Sequence, residues 1–341
     1  MSSCPLPLGD DEALVVLGSE NWNAADRHLG RGRIRSAQVL TTDGVTQLRH
    51  LDSLGARGLR DIVFVDDDTV VITTGHALFR FRIRSGTVDN LMPDHVSDIH
   101  ELALRGRTIL FANTAMDEAI EVDVDSGAVT RRGLEAFRHS KSQAINHQRP
   151  LGGAIPVGPK QEWDDHFHAN QYVDGHGDSA LVVVHHVGGF RPMRAVGKRL
   201  VGHGDGGVLD LTNGDAHGLG LRAPHSLRRL ADGGYVVFDS GRGEGVVLDG
   251  QFAPMRRFDV GGWGRGCAVV DDERWFVGLS ALRKRYNSGG ESSLNSVVSI
   301  DPESGKRTAD WVLDDVEQIW SVSVVQRSVA ELMGFLTARV A

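Results

Sequence analysis

The sequence has little cysteine, no excess of positive charge and no long apolar run, and each absence excludes a class of protein. Its 341 residues include two cysteines, Cys4 and Cys267, so a disulfide framework is excluded and a reducing compartment is the default. The formal net charge of −8 argues against nucleic acid or an anionic membrane as the main partner. No apolar run approaches the roughly 20 residues that a membrane-spanning helix needs. Because the first residues also lack the basic and apolar regions of a signal peptide, we expect a cytoplasmic protein.

Signatures of several common enzyme classes are missing as well. The sequence contains no Gly-x-Ser-x-Gly elbow and no cysteine nucleophile motif. The Gly-Arg-Gly runs at 30–32, 241–243 and 264–266 are interpreted as turns, because none lies between a strand and a helix as a phosphate-binding loop does. Any chemistry must therefore come from other residue types.

Glycine is abundant, and short polar turns separate apolar runs at regular intervals. Units of four short strands begin near residues 59, 100, 168, 225 and 266. A sixth unit has one strand at 319–324, and strands at 12–17, 34–40 and 45–48 supply its missing members. We therefore predict an all-β fold, a single six-bladed β-propeller domain over residues 1–341, closed by N-terminal strands that complete the last blade. Residues 329–341 are predicted to form a short amphipathic helix on the outside.

Three long insertions interrupt the repeats, at residues 133–165, 186–205 and 281–295. The first strand of a four-stranded blade lines the channel, so connections between blades and between second and third strands lie on one face. All three insertions fall on such connections, and the same face carries the start of each first strand. Because long loops gathered on one face usually bind ligands, we expect the functional site at this end of the channel.

Three histidines, His100, His168 and His225, stand where first strands are predicted to begin. Their separations of 68 and 57 residues exclude a local motif, but the repeat brings equivalent strand ends together. Three imidazoles are a suitable set of ligands for zinc or iron and leave a position open for water or substrate. The alternative is that each histidine satisfies backbone groups near the channel. We predict a divalent metal site, with zinc or iron as the expected ion.

Other residues near these positions are candidates for catalysis and substrate binding. His166, two residues before His168, is the first candidate for proton transfer. Glu101 is predicted to point sideways into the blade interface and to hold a neighbouring histidine or a backbone amide. His185 could join the site, whereas His76 is predicted to be an exposed turn residue outside it. The candidates for contacting an anionic or aromatic substrate are Arg60, Arg265, Arg283, Trp263 and Trp320.

Several short phrases of the sequence point to a family. The runs 98–102, 111–114, 168–170, 224–228, 238–241, 265–268 and 277–280, with Arg283, resemble an uncharacterised family of propeller-like conserved hypothetical proteins, some of which carry tetratricopeptide repeats. This chain departs from that family in its insertion at 133–165 and in Ala169, where leucine is expected. The resemblance implies a propeller fold and a site on these runs, but no reaction. The arrangement of the three channel histidines is also similar to that of the zinc propeller lyase that cleaves peptidyl-hydroxyglycines.

These features favour a metal-dependent enzyme, a lyase, cyclase or hydrolase, that acts on a small organic molecule at the mouth of the channel. One alternative is a non-catalytic propeller that binds a protein or glycan partner. Another is a metal-free synthase or isomerase that uses the same histidines as acid and base. Metal content separates the first two hypotheses, because an enzyme of the predicted kind purifies with near-stoichiometric metal and a binding scaffold need not.

Overall fold

Six four-stranded antiparallel sheets make up the computed structural model, which describes residues 6–20, 35–54, 58–92, 96–137, 165–189, 204–271, 273–280, 295–313 and 315–335. Blade 6 contains β1 (Glu12–Ser19), β2 (Ala37–Thr41) and β3 (Gly44–Gln47), together with the last strand of the chain. Blade 1 contains β4 (Asp61–Phe64), β5 (Thr69–Thr73), β6 (Leu78–Arg82) and β7 (Thr87–Asn90). Blade 2 contains β8 (Leu102–Arg105), β9 (Thr108–Asn113), β10 (Glu118–Asp123) and β11 (Val129–Gly133).

The second half of the chain repeats this pattern. Blade 3 contains β12 (Ala169–Asp174), β13 (Ala180–Val184), β14 (Gly206–Asp210) and β15 (Ala216–Leu221). Blade 4 contains β16 (Pro224–Arg229), β17 (Tyr235–Asp239), β18 (Glu244–Leu248) and β19 (Pro254–Asp259). Blade 5 contains β20 (Trp263–Val269), β21 (Trp275–Ser280), β22 (Ser296–Ile300) and β23 (Arg307–Val312). The chain then returns to blade 6 through β24 (Gln318–Gln326).

The blades form a closed ring. The innermost strands β4, β8, β12, β16, β20 and β24 contact one another in this order, and β24 contacts β4 in turn. Blade 6 is closed by the pairing of β1 with β24, which runs from Glu12 opposite Gln326 to Ser19 opposite Gln318. The prediction of a six-bladed propeller closed by N-terminal strands is therefore confirmed.

Apolar packing between neighbouring blades holds the ring together. Each blade interface among the described residues contains a cluster of buried aliphatic and aromatic side chains. Between blades 4 and 5, for example, Phe238 of β17 packs with Val277 of β21. The middle strands are buried on both faces, which explains why they appear in the sequence as continuous apolar runs rather than as an alternation.

Turns between the third and fourth strands are shaped by a recurring aspartate. In blade 2 the Asp123 carboxylate accepts hydrogen bonds from the backbone N–H and the hydroxyl of Ser126, at 2.8 and 2.7 Å. In blade 5 Asp301 accepts from the same two groups of Ser304. A glycine follows each serine, and the positive φ of 71° at Gly127 shows why that residue type is required.

The structure differs from the sequence-based predictions in some details. The C-terminal helix α1 spans Arg327–Phe335 and so begins two residues earlier than expected, and the predicted remainder at 336–341 lies outside the described residues. Most of the three insertions, at 138–164, 190–203 and 281–294, also lies outside them. The prediction that His76 is exposed is wrong: it is half-buried, with its Nδ1 3.5 Å from the Ser97 hydroxyl. No helix of the described residues is long and apolar enough to cross a membrane.

Candidate active site

The three predicted histidines converge at the end of the channel where the innermost strands begin. The His100 ring centroid lies 5.6 Å from that of His168 and 5.8 Å from that of His225. His185, at the end of β13, joins them, with its ring centroid 4.3 Å from that of His168 and 5.7 Å from that of His225. Imidazoles that share an ion at a nitrogen–zinc distance of about 2.0–2.1 Å have centroids roughly 5–6 Å apart. These four residues, His100, His168, His185 and His225, are the histidine cluster. Three of its centroid distances, His100–His168, His100–His225 and His185–His225, suit shared coordination, whereas the His168–His185 distance is shorter than that range.

The histidines do not occupy one strand register, contrary to the prediction that each is the first residue of its strand. His100 lies two residues before β8, His168 lies one residue before β12, and His225 is the second residue of β16. Bulges interrupt β12 after Ala169 and β16 after His225. A bulge re-aims the side chains next to it, and here it brings side chains of different register to one point.

Backbone strain is concentrated at this point. Six non-glycine residues of the described chain have a positive φ, and four of them, Asp98, His168, Ala223 and Ser226, lie at or next to the three histidines. Such residues cost of order 1–3 kcal/mol each and persist only where the surrounding structure holds them. The fold thus maintains an unfavourable backbone where the polar side chains gather, which is typical of a functional site.

Asp98 is a member of the site that the sequence analysis did not assign. Its carboxylate lies 3.3 Å from His100 Nε2 and 3.5 Å from a terminal nitrogen of Arg60. Ligand atoms of Asp98, His100 and His168 all lie within 4.8 Å of one another. Burial tends to raise the pKa of Asp98, but the contact with His100 and the charge of Arg60 outweigh it and hold that pKa well below its usual range. The carboxylate is therefore ionised at neutral pH and is a suitable cation ligand.

His225 has a defined tautomer. Its Nδ1 lies 2.8 Å from the carbonyl oxygen of Ala223 and 2.9 Å from the hydroxyl of Ser240, which itself donates to the carbonyl oxygen of Gly264. The carbonyl can only accept, so Nδ1 carries the proton and Nε2 carries the lone pair. Burial, with the charge of Arg265, holds the pKa of His225 well below its ordinary value, which keeps the ring neutral.

His100 is also neutral. Burial lowers its pKa to about 3, although the Asp98 carboxylate acts in the opposite direction. The buried Nδ1 of His100 and the buried Nε2 of His225 have no hydrogen-bond partner among the described residues. A buried polar atom without a partner is costly, and a cation bound at either ring would satisfy the nitrogen of that ring. The residues present thus fit a metal ion.

His168 differs from the other two because a carboxylate supports its charge. Its Nδ1 lies 3.0 Å from Asp165. Burial tends to lower the pKa of His168, but the Asp165 carboxylate outweighs burial and raises it. A half-buried imidazole paired with a carboxylate can exchange a proton with a substrate, or can present Nε2 to a metal with its ring orientation fixed.

Glu101 spans the channel instead of pointing into a neighbouring blade interface, so the predicted orientation is wrong. Its carboxylate accepts hydrogen bonds from the backbone N–H and the hydroxyl of Ser226, at 2.8 and 2.9 Å, and from two nitrogens of Arg228, at 3.3 and 3.2 Å. The Ser226 hydroxyl accepts in turn from the N–H of Gly266. This Glu101 network joins blades 2, 4 and 5 and fixes the residue that follows His225.

The predicted substrate-binding residues divide into three groups. Arg60 and Trp320 lie beside His100, whose ring meets the indole edge-on with centroids 5.2 Å apart. Trp263 lies on the other side of the cluster, 5.9 Å from His225. Arg283 lies outside the described residues.

His166, the predicted proton carrier, is buried on the loop that enters β12. Its backbone N–H donates to the Asp117 carboxylate at 2.6 Å. The same carboxylate accepts from the N–H of Phe167, so Asp117 fixes the approach to His168. A part in proton transfer stays a prediction for His166.

Comparisons with known proteins bear on the fold. The chain matches no protein-family model and no curated protein. Among solved structures, a chain of the nidogen/laminin complex is 11% identical with a TM-score of 0.57, covering 92% of this chain and 98% of that chain. A luciferin-regenerating enzyme is 9% identical with a TM-score of 0.50, covering 77% and 78%. Virginiamycin B lyase from Staphylococcus aureus is 10% identical with a TM-score of 0.45, covering 75% of this chain and 70% of that chain.

At such identities the comparisons show the propeller fold alone. The resemblance to propeller-like proteins is confirmed in that respect. The association with tetratricopeptide repeats and the likeness to the peptidyl-hydroxyglycine lyase stay predictions. The function has to be argued from the residues of the site.

Proposed function

We propose that this protein is a metal-dependent enzyme, a lyase, cyclase or hydrolase, that acts on a small organic molecule at the mouth of the propeller channel. The observation that carries the proposal is the convergence of Asp98, His100 and His168, with ligand atoms within 4.8 Å of one another. We expect zinc or iron, because imidazole and carboxylate ligands suit both.

Asp98, His100 and His168 would hold the ion, with the lone pair of His225 Nε2 as a fourth donor. Such an ion supplies Lewis acidity toward a carbonyl, a hydroxyl or water. The chain's own residues do the rest. The carbonyl of Ala223 and the hydroxyl of Ser240 hold the His225 ring in one tautomer, and Asp165 orients His168. His185, whose ring centroid lies 4.3 Å from that of His168, would accept or return a proton of the substrate.

Elemental analysis of protein purified without a histidine tag tests the proposal. We expect close to one equivalent of metal in the wild type and a marked loss in His100→Ala and His225→Ala, with the fold retained. Titration of the metal-stripped protein with Co²⁺ gives an independent readout, since tetrahedral nitrogen and oxygen ligation produces visible absorption bands. His217→Ala is the matched control, because that half-buried histidine lies on the outer strand β15 against Phe252. Absence of both metal and cobalt absorption in the wild type would favour a non-catalytic binding propeller.

The His168–Asp165 pair favours a second candidate, a metal-free synthase or isomerase. A carboxylate-supported imidazole beside neutral histidines offers an acid and a base at short range, which proton transfer alone could use. In that case turnover survives complete removal of metal but is lost in both His168→Ala and Asp165→Asn. The metal-dependent enzyme loses turnover on chelation and regains it when the ion is restored.

A further inference from the structure

Two turns at the channel mouth share one backbone pattern. Residues 97–100 lead into β8 of blade 2, and residues 222–225 lead into and begin β16 of blade 4. The second residue of each turn has a positive φ, 60° at Asp98 and 59° at Ala223. The fourth residue of each turn is a member of the histidine cluster. A residue that carries a Cβ seldom adopts a positive φ, so each turn needs contacts that hold it.

The last residue of the second strand supplies the first of these contacts, from within the same blade. Asn113, at the end of β9, accepts a hydrogen bond through Oδ1 from the backbone N–H of Ser97 at 2.9 Å. Asp239, at the end of β17, accepts one through Oδ1 from the backbone N–H of Arg222 at 2.7 Å. The carbonyl oxygen of the same turn residue accepts from the backbone N–H two positions after Asn113 or Asp239, at 3.3 Å in blade 2 and 2.7 Å in blade 4. Asn113 and Asp239, the two anchors, thus hold equivalent turns in equivalent ways.

Both anchors are themselves fixed. Each is fully buried, with 0% of its surface exposed. The Nδ2 group of Asn113 donates to the Glu118 carboxylate at 2.9 Å, which leaves Oδ1 toward the turn. The second carboxylate oxygen of Asp239 accepts from the Arg242 guanidinium at 2.7 Å. A buried side chain that is held at both ends defines the position of the backbone that it binds.

The residue after each anchor ties the same segment to the next blade. The Thr114 hydroxyl donates to the carbonyl oxygen of Ala169, the residue after His168, at 2.5 Å. The Ser240 hydroxyl donates to the carbonyl oxygen of Gly264 at 2.6 Å. Each anchor segment therefore connects the turn of its own blade to the start of the innermost strand of the following blade.

The two turns place different groups at the site. In blade 2 the residue with positive φ, Asp98, brings its own carboxylate to within 3.3 Å of His100 Nε2. In blade 4 the corresponding residue, Ala223, brings its carbonyl oxygen to within 2.8 Å of His225 Nδ1. A rotation of the first turn would displace an oxygen ligand, and a rotation of the second would release the tautomer that leaves a lone pair on His225 Nε2.

We propose that Asn113 and Asp239 are positioning residues of the metal site, which hold Asp98 and His225 in the geometry that binds the ion. This inference rests on the proposed function, because it assigns the residues that set the ligands of that site. Each anchor acts through the backbone of its turn and not by contact with the ion. Groups that orient metal ligands typically contribute about 10–100-fold to metal affinity.

Titration of the full-length protein with Co²⁺, after removal of metal with EDTA, tests the proposal. Asn113→Ala and Asp239→Ala each remove the acceptor of one turn, and each should raise the Co²⁺ dissociation constant about 10–100-fold. Asp239→Asn keeps an oxygen for the N–H of Arg222, so its dissociation constant should stay close to that of the wild type and well below that of Asp239→Ala.

Leu248→Ala is the matched control for loss of stability. Leu248 is fully buried in β18 of blade 4, opposite Tyr235, and so lies at the other end of β17 from Asp239. Truncating a buried leucine leaves a cavity, so this variant should melt at a lower temperature than the wild type. Its Co²⁺ dissociation constant should nevertheless be unchanged, because the turn that precedes His225 keeps its anchor.

The tautomer of His225 gives a readout that needs no metal and that loss of stability alone does not change. Proton–nitrogen NMR correlations of the histidine rings show which ring nitrogen carries the proton. In the metal-free wild type and in Leu248→Ala the proton of His225 should be on Nδ1, where the carbonyl oxygen of Ala223 accepts it. Asp239→Ala should give a mixture of the two tautomers. If Asp239→Ala does not fold, Asn113→Ala decides the proposal through its Co²⁺ affinity.

The positioning role and the metal-dependent enzyme can fail separately. Wild-type Co²⁺ affinity in the alanine variants of both anchors would overturn the positioning role alone, as would an equal weakening by Leu248→Ala. A wild type that binds no Co²⁺ contradicts the metal-dependent enzyme, and the tautomer then decides the anchor: loss of the single Nδ1–H form in Asp239→Ala supports it, and retention of that form overturns it.

Discussion

Replacing Glu101 by alanine should destabilise the propeller, because it removes the hydrogen bonds that this side chain makes across the channel. Glu101 is 2% exposed and accepts four hydrogen bonds, two from Ser226 and two from Arg228. Without the carboxylate, the buried N–H of Ser226 loses its acceptor and the guanidinium of Arg228 loses its counter-charge. Ser226 also has a positive φ of 56°, so the same carboxylate stabilises a strained turn next to His225.

The loss in the free energy of unfolding can be bounded from these contacts. Removing one partner of a buried ion pair costs about 3–5 kcal/mol. Arg228 is one-quarter exposed and keeps its hydrogen bonds to the carbonyl oxygens of Cys267 and Leu227, so the lower half of that range, about 3–4 kcal/mol, is expected. The cost of losing the acceptor of the Ser226 N–H is included in that range, because the free-energy contributions within one network are not additive. At roughly 1.4 °C for each kcal/mol in a chain of 341 residues, the melting temperature should fall by roughly 4–6 °C. Glu101→Gln keeps an acceptor for Ser226 but loses the charge, so an intermediate loss is expected.

Urea denaturation followed by tryptophan fluorescence measures the free energy of unfolding, and differential scanning calorimetry measures the melting temperature. Glu331→Gln serves as the control, because that side chain is more than half exposed in an i,i+4 pair with Arg327 on α1, where little stability is expected to depend on it. An alanine variant that unfolds within about 1 kcal/mol of the wild type would mean that the Glu101 network contributes far less than buried ion pairs usually do.

Two further predictions concern ring closure and acid sensitivity. Deleting residues 1–19 removes β1, which pairs with β24 along its whole length. The truncated chain should therefore lose its cooperative melting transition and aggregate through the exposed edge of β24. A monomer on gel filtration with an unchanged melting temperature would refute this. His100 and His225 have lowered pKa values in the folded protein, so below about pH 6.5 the unfolded chain binds more protons than the folded one. In metal-free protein the free energy of unfolding should therefore fall as the pH falls, by about 1.4 kcal/mol for each histidine at pH 5.5. His225→Gln should lose less stability than the wild type between pH 7.5 and 5.5, and equal losses would contradict the assignment.

The fold could be predicted from the sequence because its signals are local and repeated. Apolar runs marked the buried middle strands, and the aspartate, serine and glycine turns, such as Asp123 to Gly127, marked where pairs of strands reverse. The incomplete sixth unit predicted the pairing of β1 with β24 by strand count alone. Each of these inferences needed only the period of the repeat and no knowledge of side-chain direction.

The site could be predicted only in part, for a physical reason. The repeat placed His100, His168 and His225 at corresponding ends of neighbouring blades, and a shared end was enough to bring them together. The direction of each side chain was inferred from strand alternation, which fails before β8, where residues 96–101 are not in a strand. Glu101 therefore crosses the channel instead of entering a blade interface.

Asp98 was not assigned to the site, although it stands two residues before His100 and strand alternation alone would have set the two side chains on one side. In an extended strand its carboxylate and that imidazole would still point the same way, but nothing in the sequence announces the positive φ of 60° at Asp98. Ala223, two residues before His225, has nearly the same φ, 59°, so an equivalent turn precedes two of the three histidines. At Ala223 the carbonyl fixes the tautomer of His225, whereas at Asp98 the side chain itself approaches His100. The same turn with a positive φ thus fixes the lone pair of His225 and gives His100 a neighbouring carboxylate. A cation site with mixed nitrogen and oxygen ligands needs both kinds of group.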